Sequence, residues 1–345
     1  MQQHKFPFLW RLGDGYPAKG ITKHGKRVFG TFICGGGSSM GYKLAGYDHL
    51  GGVELDPNVA AIYKANHHPK YMFNMDIRDF NAKADLPSDL FDLDLLDGSP
   101  PCSTFSTSGK REAAWGVEKV FAEGQKKQQL DDLVFVYCET IKKLMPKVCL
   151  LENVSGLIKG NGKTYCKNIV KKIASIGYRP QVFLLNAASM GCPQRRERTF
   201  IIGLRNDFAM LPKLYLNFNE PPIPFAMCDD GDTAVENRIT PCDAPYWSLC
   251  RQGEAISKHH PNGNRFDSVR LSMKSVANTI TANGRLYHPL YPRGLNNSEL
   301  CKVGTYPLDY DFKGRNPQWF IGMSVPPVMT AQIAHQIFLQ WLSKI

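Results

Sequence analysis

Residues 91–96 (FDLDLL) form a short apolar run that stops at Asp97-Gly98-Ser99-Pro100-Pro101-Cys102-Ser103-Thr104-Phe105-Ser106. The run reads as a buried strand interrupted by acids. A thiol held after two prolines at a strand end is a poor packing choice. It is a good way to present a nucleophile, because two fixed φ angles stiffen the approach and open α/β sheets build their sites at strand ends. The fold is therefore expected to bring other strand ends beside Cys102.

The rest of the chain alternates strands and helices in a way that meets this demand. Residues 27–34 read as a strand running into Gly35-Gly36-Gly37, with a helix starting over 38–45. Residues 49–55 are a second strand ending in Glu54-Leu55-Asp56, and 57–66 a helix with proline in its first turn. A third short strand, 72–76, ends in Asp76-Ile77-Arg78. Residues 130–145 are the clearest helix, with Leu133, Val134, Tyr137, Ile141 and Leu144 on one face and Pro146 closing it. Residues 148–151 are a fifth strand delivering Glu152-Asn153-Val154, and 181–186 with 199–204 read as a strand pair around Gln194-Arg195-Arg196-Glu197-Arg198. This alternation predicts an α/β fold with a doubly wound, mostly parallel sheet and a site at its carboxyl edge.

After Arg205 the texture changes: residues 205–290 are rich in Pro, Asn, Asp and Gly, with little helical period. They read as a second, smaller, irregular or β-rich domain. From Met329 an apolar helical stripe returns through Ile333, Ile337, Phe338, Trp341 and Leu342. The large domain is therefore expected over 1–204 and 317–345, around a small domain of 205–316.

A net charge of +11, from 42 Lys+Arg against 31 Asp+Glu, suits a polyanionic partner. No apolar run approaches the ~20 residues that cross a bilayer, and residues 1–15 carry no apolar signal core or small-residue cleavage site. The ten cysteines contain no CxxC pair and fit a reducing compartment better than a disulfide framework. The expectation is a cytoplasmic protein away from membranes. Cys228, Cys242, Cys250 and the His259-His260 pair match no common zinc spacing, so no metal is expected.

A glycine-rich turn after the first strand lets a cofactor approach the backbone at a helix N-terminus. An acid about 20 residues on suits ribose hydroxyls, and Gly36 and Glu54 keep that relation. Gly35 to Gly41 is spaced GxGxxxG, not the dinucleotide GxGxxG, which turns the reading from NAD or FAD toward another adenosine-bearing cofactor; a tight structural turn is the plain alternative. Asp76 is placed to accept from an adenine amine with Ile77 against the ring, or is a solvated loop acid. Glu152, ending the strand next to that of Cys102, is a carboxylate able to hold and donate a proton. Arg196 and Arg198 alternate along one strand face, where they can lower a thiol pKa and hold an oxygen or phosphate near it.

In this order the residues resemble the motifs of the DNA (cytosine-5) methyltransferases along nearly the whole chain. Phe32 with Gly36-Gly37 resembles the first motif, Glu54 the second and Asp76-Ile77 the third. The segment Gly98 to Ser106 resembles the nucleophile motif, Glu152-Asn153-Val154 the ENV motif and Gln194-x-Arg196-x-Arg198 the QxRxR motif. Arg293-x-Leu295 with Glu299 resembles the ninth motif, and Gly322-x-Ser324-Val325-Pro326-Pro327 the tenth. Two positions depart from the pattern: Cys34 stands where the family usually has glycine, and Met323 where it has asparagine.

The resemblance implies a Rossmann-like, S-adenosyl-L-methionine-dependent methyltransferase with a target-recognition domain in the small region. It implies methyl transfer to C5 of a cytosine flipped out of a specific double-stranded DNA sequence, with Cys102 bonded covalently to C6. Glu152 would contact N3 and the exocyclic amine and Arg196 the O2 side, with Arg198 also in the catalytic set. Phe32, Gly36, Gly37, Glu54, Leu55, Asp76, Ile77, Gly98, Pro100 and Ser324 would hold the methyl donor. Ser106, Lys110, Arg111 and Gln194 would contact DNA, residues 103–128 forming a loop that closes over the base. A monomer is expected, nucleoid-associated in a prokaryotic or viral setting, with a cognate restriction endonuclease sharing its site without stable binding. Left open are an RNA (tRNA) cytosine-5 methyltransferase of the same fold, a nucleotide-dependent oxidoreductase, and a catalytically dead DNA-binding relative.

Overall fold

A computed structural model of the chain describes residues 4–101, 132–160, 162–233 and 239–345. In chain order come β1 (Arg27–Thr31), α1 (Gly37–Leu44), β2 (Asp48–Glu54), α2 (Pro57–His67), β3 (Tyr71–Asn74), α3 (Ile77–Ala82) and β4 (Leu95–Gly98). Then follow α4 (Leu133–Leu144), β5 (Val148–Val154), α5 (Gly162–Ser175), β6 (Tyr178–Asn186) and β7 (Glu197–Arg205). The remaining elements are α6 (Ala244–Trp247), β8 (Ser268–Arg270), β9 (Arg285–Tyr287), α7 (Asn297–Gly304), α8 (Pro317–Met323) and α9 (Pro327–Gln340).

The described residues build a seven-stranded sheet in the order β3-β2-β1-β4-β5-β7-β6. Pairing is parallel from β3 to β5, while β7 runs antiparallel to both β5 and β6. This is the doubly wound, mostly parallel arrangement that the strand–helix alternation predicts. Leu95 and Leu96 of β4 and residues 148–151 of β5 are all buried, as central strands covered on both faces require. β1 and β4 lie side by side, so the glycine-rich turn and the Pro100-Pro101 turn leave the same edge of the sheet.

Local signals set the helix starts. Asp56 caps α2 by accepting from Asn58 N and Val59 N, with Pro57 at the first helical position. Asp76 caps α3 through Arg78 N, so β3 stops at Asn74 and Asp76 belongs to a helix cap, not to the strand. β5 extends to Val154, which places Glu152 inside the strand opposite Phe200.

Two apolar clusters cover the sheet. One contains Phe29, Leu96, Tyr137, Ile141, Ile169 and Ile201. The other runs from Phe6 and Trp10 through Met40, Ile333, Ile337 and Trp341 to Phe225, Ile280 and Leu295. α9 packs on α1, where a Cβ on Gly41 would lie 2.5 Å from Pro327 O. Between β7 and α7, regular structure among the described residues is sparse: short turns, the single-turn α6 and the two-stranded parallel β8–β9 sheet. α7 and Tyr306, Tyr310 and Phe312 pack toward Phe320 and the turn after β1. No helix among the described residues is long and apolar enough to cross a membrane.

Candidate active site

The carboxyl edge of the sheet carries two neighbouring sets of polar groups. The first lies at the ends of β1, β2 and β3. Phe32, Cys34 and Gly36 all have left-handed φ, at 57°, 46° and 76°. For Gly36 this conformation costs nothing; for Phe32 and Cys34 it is strained and persists because neighbours fix it. Cys34 N donates to Glu54 Oε2 and Asp56 N to Oε1, each at 3.0 Å. Burial pushes the Glu54 carboxyl up, while these backbone donors hold it down. Gly35 O accepts from Tyr310 OH at 2.6 Å and faces His67 Nε2 at 3.2 Å, so the turn is fastened from α2 and from the segment before α8.

A Cβ on Gly37 would lie 2.5 Å from Val325 O, so this glycine lets the Ser324-Val325 segment pack directly on the turn. Ser324 Oγ is buried, 2.6 Å from Tyr306 OH, and donates to Phe320 O. Tyr306 and Tyr310 form part of the site's scaffold that the sequence motifs did not mark. Leu55 is half-buried, Ile77 buried, and Met323 exposed at the end of α8. An adenosine laid across the ends of β1 to β3 would meet Glu54 and then Asp76, acceptors suited to hydroxyls and to an amine. The donor set therefore fits the cofactor that the resemblance implies.

The second set lies at the ends of β4, β5 and β7. Gly98 and Pro100 are buried, and Asn153 Nδ2 donates to Pro100 O at 3.3 Å, tying β5 to the Pro-Pro turn. Glu152 and Arg198 form an ion pair, Oε1 to Nε 3.0 Å, with side chains 12% and 16% exposed. Burial pulls the Arg198 pKa down and the Glu152 charge partly restores it. The Glu152 carboxylate accepts no further hydrogen bond among the described residues. Cys102, Ser106, Lys110, Arg111 and the loop 103–128 lie outside the described residues.

Two of the expected site residues are buried. Arg196 lies just before β7, close enough to Arg198 and Glu152 for their charges to act on it, and its side chain is 1% exposed. Its Nη1 donates to Ile280 O at 2.8 Å and its Nη2 to Gly322 O at 2.7 Å. It ties three chain segments together, while Arg198 stands beside Glu152. Gln194, expected at DNA, is also buried: its Nε2 donates to Val303 O and its Oε1 accepts from Ile280 N. Both residues serve the joint between β7, residues 277–280 and α8.

The ninth-motif residues are structural as well. Arg293 grips Glu299 with two bonds of 2.7 Å, and Glu299 closes a capping box at the start of α7. Asp229, His288 and Glu299 have ligand atoms within 4.8 Å of one another, but Arg293 already neutralises Glu299 there. Cys228 and Cys250 are buried and Cys242 exposed, outside that group.

Residues 27–339 match the family described as C-5 cytosine-specific DNA methylase. The type II methyltransferase M.NgoPII of Neisseria gonorrhoeae is 31% identical, the match covering 92% of this chain and 96% of that protein. M.Sau96I of Staphylococcus aureus is 32% identical over 83% of this chain and 69% of its own length. Among solved structures, a mutant DNMT2 of Spodoptera frugiperda superposes with a TM-score of 0.63 at 14% identity, covering 91% of this chain and 99% of that one, a likeness of fold.

Proposed function

This chain belongs to the C-5 cytosine-specific DNA methylases, and from that premise we propose that it methylates C5 of a cytosine flipped out of a specific double-stranded DNA sequence, through a covalent Cys102–C6 bond. The observation that carries the reading is the half-open Glu152–Arg198 pair, held through Asn153 to Pro100, two residues before Cys102.

Cytosine C5 is a weak nucleophile, and the residue types answer that difficulty. The Cys102 thiolate adds to C6, forming a C6–Sγ bond and moving the ring's electron density onto C5. Glu152 engages N3 and the exocyclic amine and favours that redistribution by holding a proton at N3. Arg198 fixes the O2 side and keeps Glu152 oriented. S-adenosyl-L-methionine, held by Glu54 at the end of β2 and Asp76 at the cap of α3, would supply an electrophilic sulfonium methyl when bound. C5 would take that methyl as the methyl–sulfur bond breaks and the neutral thioether S-adenosyl-L-homocysteine leaves; the C5 proton then passes to base, and expulsion of the Cys102 thiolate restores the aromatic ring. Extrusion of the base from the duplex costs a few kcal/mol, offset by contacts to the flipped base and its flanks.

In this reading the sparsely structured stretch after β7 recognises the target, and the +11 charge serves the phosphate backbone. Its named relatives are type II methyltransferases, so action as a monomer beside a separate endonuclease of the same site belongs to the same reading. The Cys102→Ala protein should lose methyl transfer while binding S-adenosyl-L-methionine as the wild type does, in a filter assay beside equilibrium dialysis. Wild-type protein should form a denaturant-resistant adduct with DNA carrying 5-fluorocytosine, where proton loss is blocked. Transfer by the Ala variant, or no adduct with the wild type, would overturn the assignment. Bisulfite sequencing of DNA from a host expressing the chain then reads out the target.

A further inference from the structure

Asp97 is a buried carboxylate that the chemistry above leaves unused. It sits on β4 one residue before Gly98 and three before Pro100, and forms no ion pair among the described residues. Ser38 Oγ donates to its Oδ2 at 2.7 Å and Tyr42 OH to its Oδ1 at 3.2 Å, both from α1. Its main-chain carbonyl accepts from Thr31 Oγ1 at the end of β1. The other titratable groups facing it are Tyr63 from α2, Tyr137 from α4 and Glu152 from β5. Burial pushes the carboxyl up, the two hydroxyls pull it back and Glu152 adds to the rise, which leaves it at about 7.

The sign of the linkage gives the ionised group no stabilising contribution. A carboxyl that titrates near 3.8 when unfolded and near about 7 when folded favours the folded state below the lower value. That contribution is lost as pH rises through the folded value, and above it the ionised group burdens the fold. Position explains its presence better. Ser38 is the second residue of α1, directly after the Gly36-Gly37 turn at which the methyl donor is proposed to lie. Asp97 belongs to the strand that leads into Pro100-Pro101-Cys102. The Ser38–Asp97 bond is therefore a direct side-chain tie between the cofactor turn and the nucleophile strand.

We propose that Asp97 is a positioning residue: through Ser38 and Tyr42 it fixes α1, and with it the bound methyl donor, against the strand that presents Cys102. This rests on the reading of Cys102 as the nucleophile. The ionised carboxylate accepts from both hydroxyls, so it is the form that holds the register.

The test is the rate of adduct formation on 5-fluorocytosine DNA for wild type and Asp97→Asn, across one pH unit either side of about 7, with thermal unfolding at the alkaline end. The Asn variant should melt at least as high as the wild type there, yet form adduct roughly 10- to 100-fold more slowly, the penalty of a small misalignment of reacting groups. The ratio of wild-type to variant rate should rise with pH through that interval, and KM for DNA should stay within about threefold, since the donor–nucleophile register is changed and not the DNA surface. Should Asp97→Asn fail to fold, Ser38→Ala removes the shorter bond and is expected to slow the adduct several-fold. Equal rates and a flat ratio overturn the proposal for Asp97 while leaving Cys102 standing. Absence of adduct in the wild type overturns the reading of Cys102 itself.

Discussion

Two Arg–Glu pairs in this protein use the same chemical groups for opposite ends. Glu299, in the first turn of α7, and Arg293, just before that helix, are sealed: two bonds of 2.7 Å, with side chains 0% and 2% exposed. Arg293 also donates to Asp232 O and Gly294 O, and Glu299 also accepts from Asn296 N. Glu152 and Arg198, at the carboxyl edge of the sheet, share a single 3.0 Å contact and stay partly open. A saturated buried pair fixes the chain, and removing one partner leaves an uncompensated charge. An unsaturated pair at a strand end keeps acceptor and donor capacity for a third group. Hydrogen-bond saturation, together with burial, separates the structural pair from the one proposed to react.

The largest effect should come from the open pair. Glu152→Gln keeps the shape but cannot hold a proton for N3, and kcat should fall about 10²- to 10⁴-fold. Unfolding free energy should move by no more than about 1 kcal/mol, because the pair is incompletely buried and singly bonded. Single-turnover methyl transfer beside urea denaturation reads both quantities. A Gln variant that turns over normally breaks the comparison at its reactive end.

The sealed pair should show the reverse. Arg293→Met strands the Glu299 carboxylate in the interior and should cost about 3–5 kcal/mol of stability, measured by the denaturant midpoint at unchanged slope. Activity per folded molecule at low temperature should match the wild type within about twofold, since Arg293 touches neither set of groups at the sheet edge. A stable but inactive Arg293→Met protein would place the sealed pair in the chemistry.

The sequence made the sheet legible because each central strand is a short apolar run ending in a polar group. Of the run before Asp97 only Leu95 and Leu96 enter β4, which continues through Asp97 to Gly98. Phe91 ends a 3-10 turn and is exposed, while the run before Glu152 is the buried start of β5. Glu54 is readable as an edge group for the same reason, whereas Asp76 lies in the cap of α3 beyond β3 and Glu152 inside β5. Arg196 is not readable in this way. Two-residue spacing brings Arg196 near Arg198 and Glu152, but it does not tell which of the two side chains is spent on main-chain carbonyls. What turns Arg196 inward is Ile280 O and Gly322 O, supplied by segments 84 and 126 residues away. Gln194 is buried by the same joint. Tyr306 and Tyr310 escaped notice because an aromatic hydroxyl bonded to Ser324 or Gly35 O leaves no periodic trace. The Ser38–Asp97 bond likewise joins positions 59 apart, each unremarkable alone.

The smallest predicted effect sharpens the comparison most, because it sets two arginines two residues apart against each other. Lysine keeps the charge and loses the planar fork. At Arg198 that loss should reduce kcat/KM about tenfold, roughly 1.4 kcal/mol of transition-state stabilisation, with little change in stability. At Arg196 one ammonium cannot reach both Ile280 O and Gly322 O, and a buried carbonyl left unpaired should cost about 1–3 kcal/mol of stability while activity per folded molecule persists. Both substitutions conserve charge and act at nearly the same distance along the chain from Cys102, so only the direction of the split separates them. If Arg196→Lys loses turnover at full stability and Arg198→Lys does not, the O2-side contact belongs to Arg196, and the saturation of its hydrogen bonds would have to break when substrate binds.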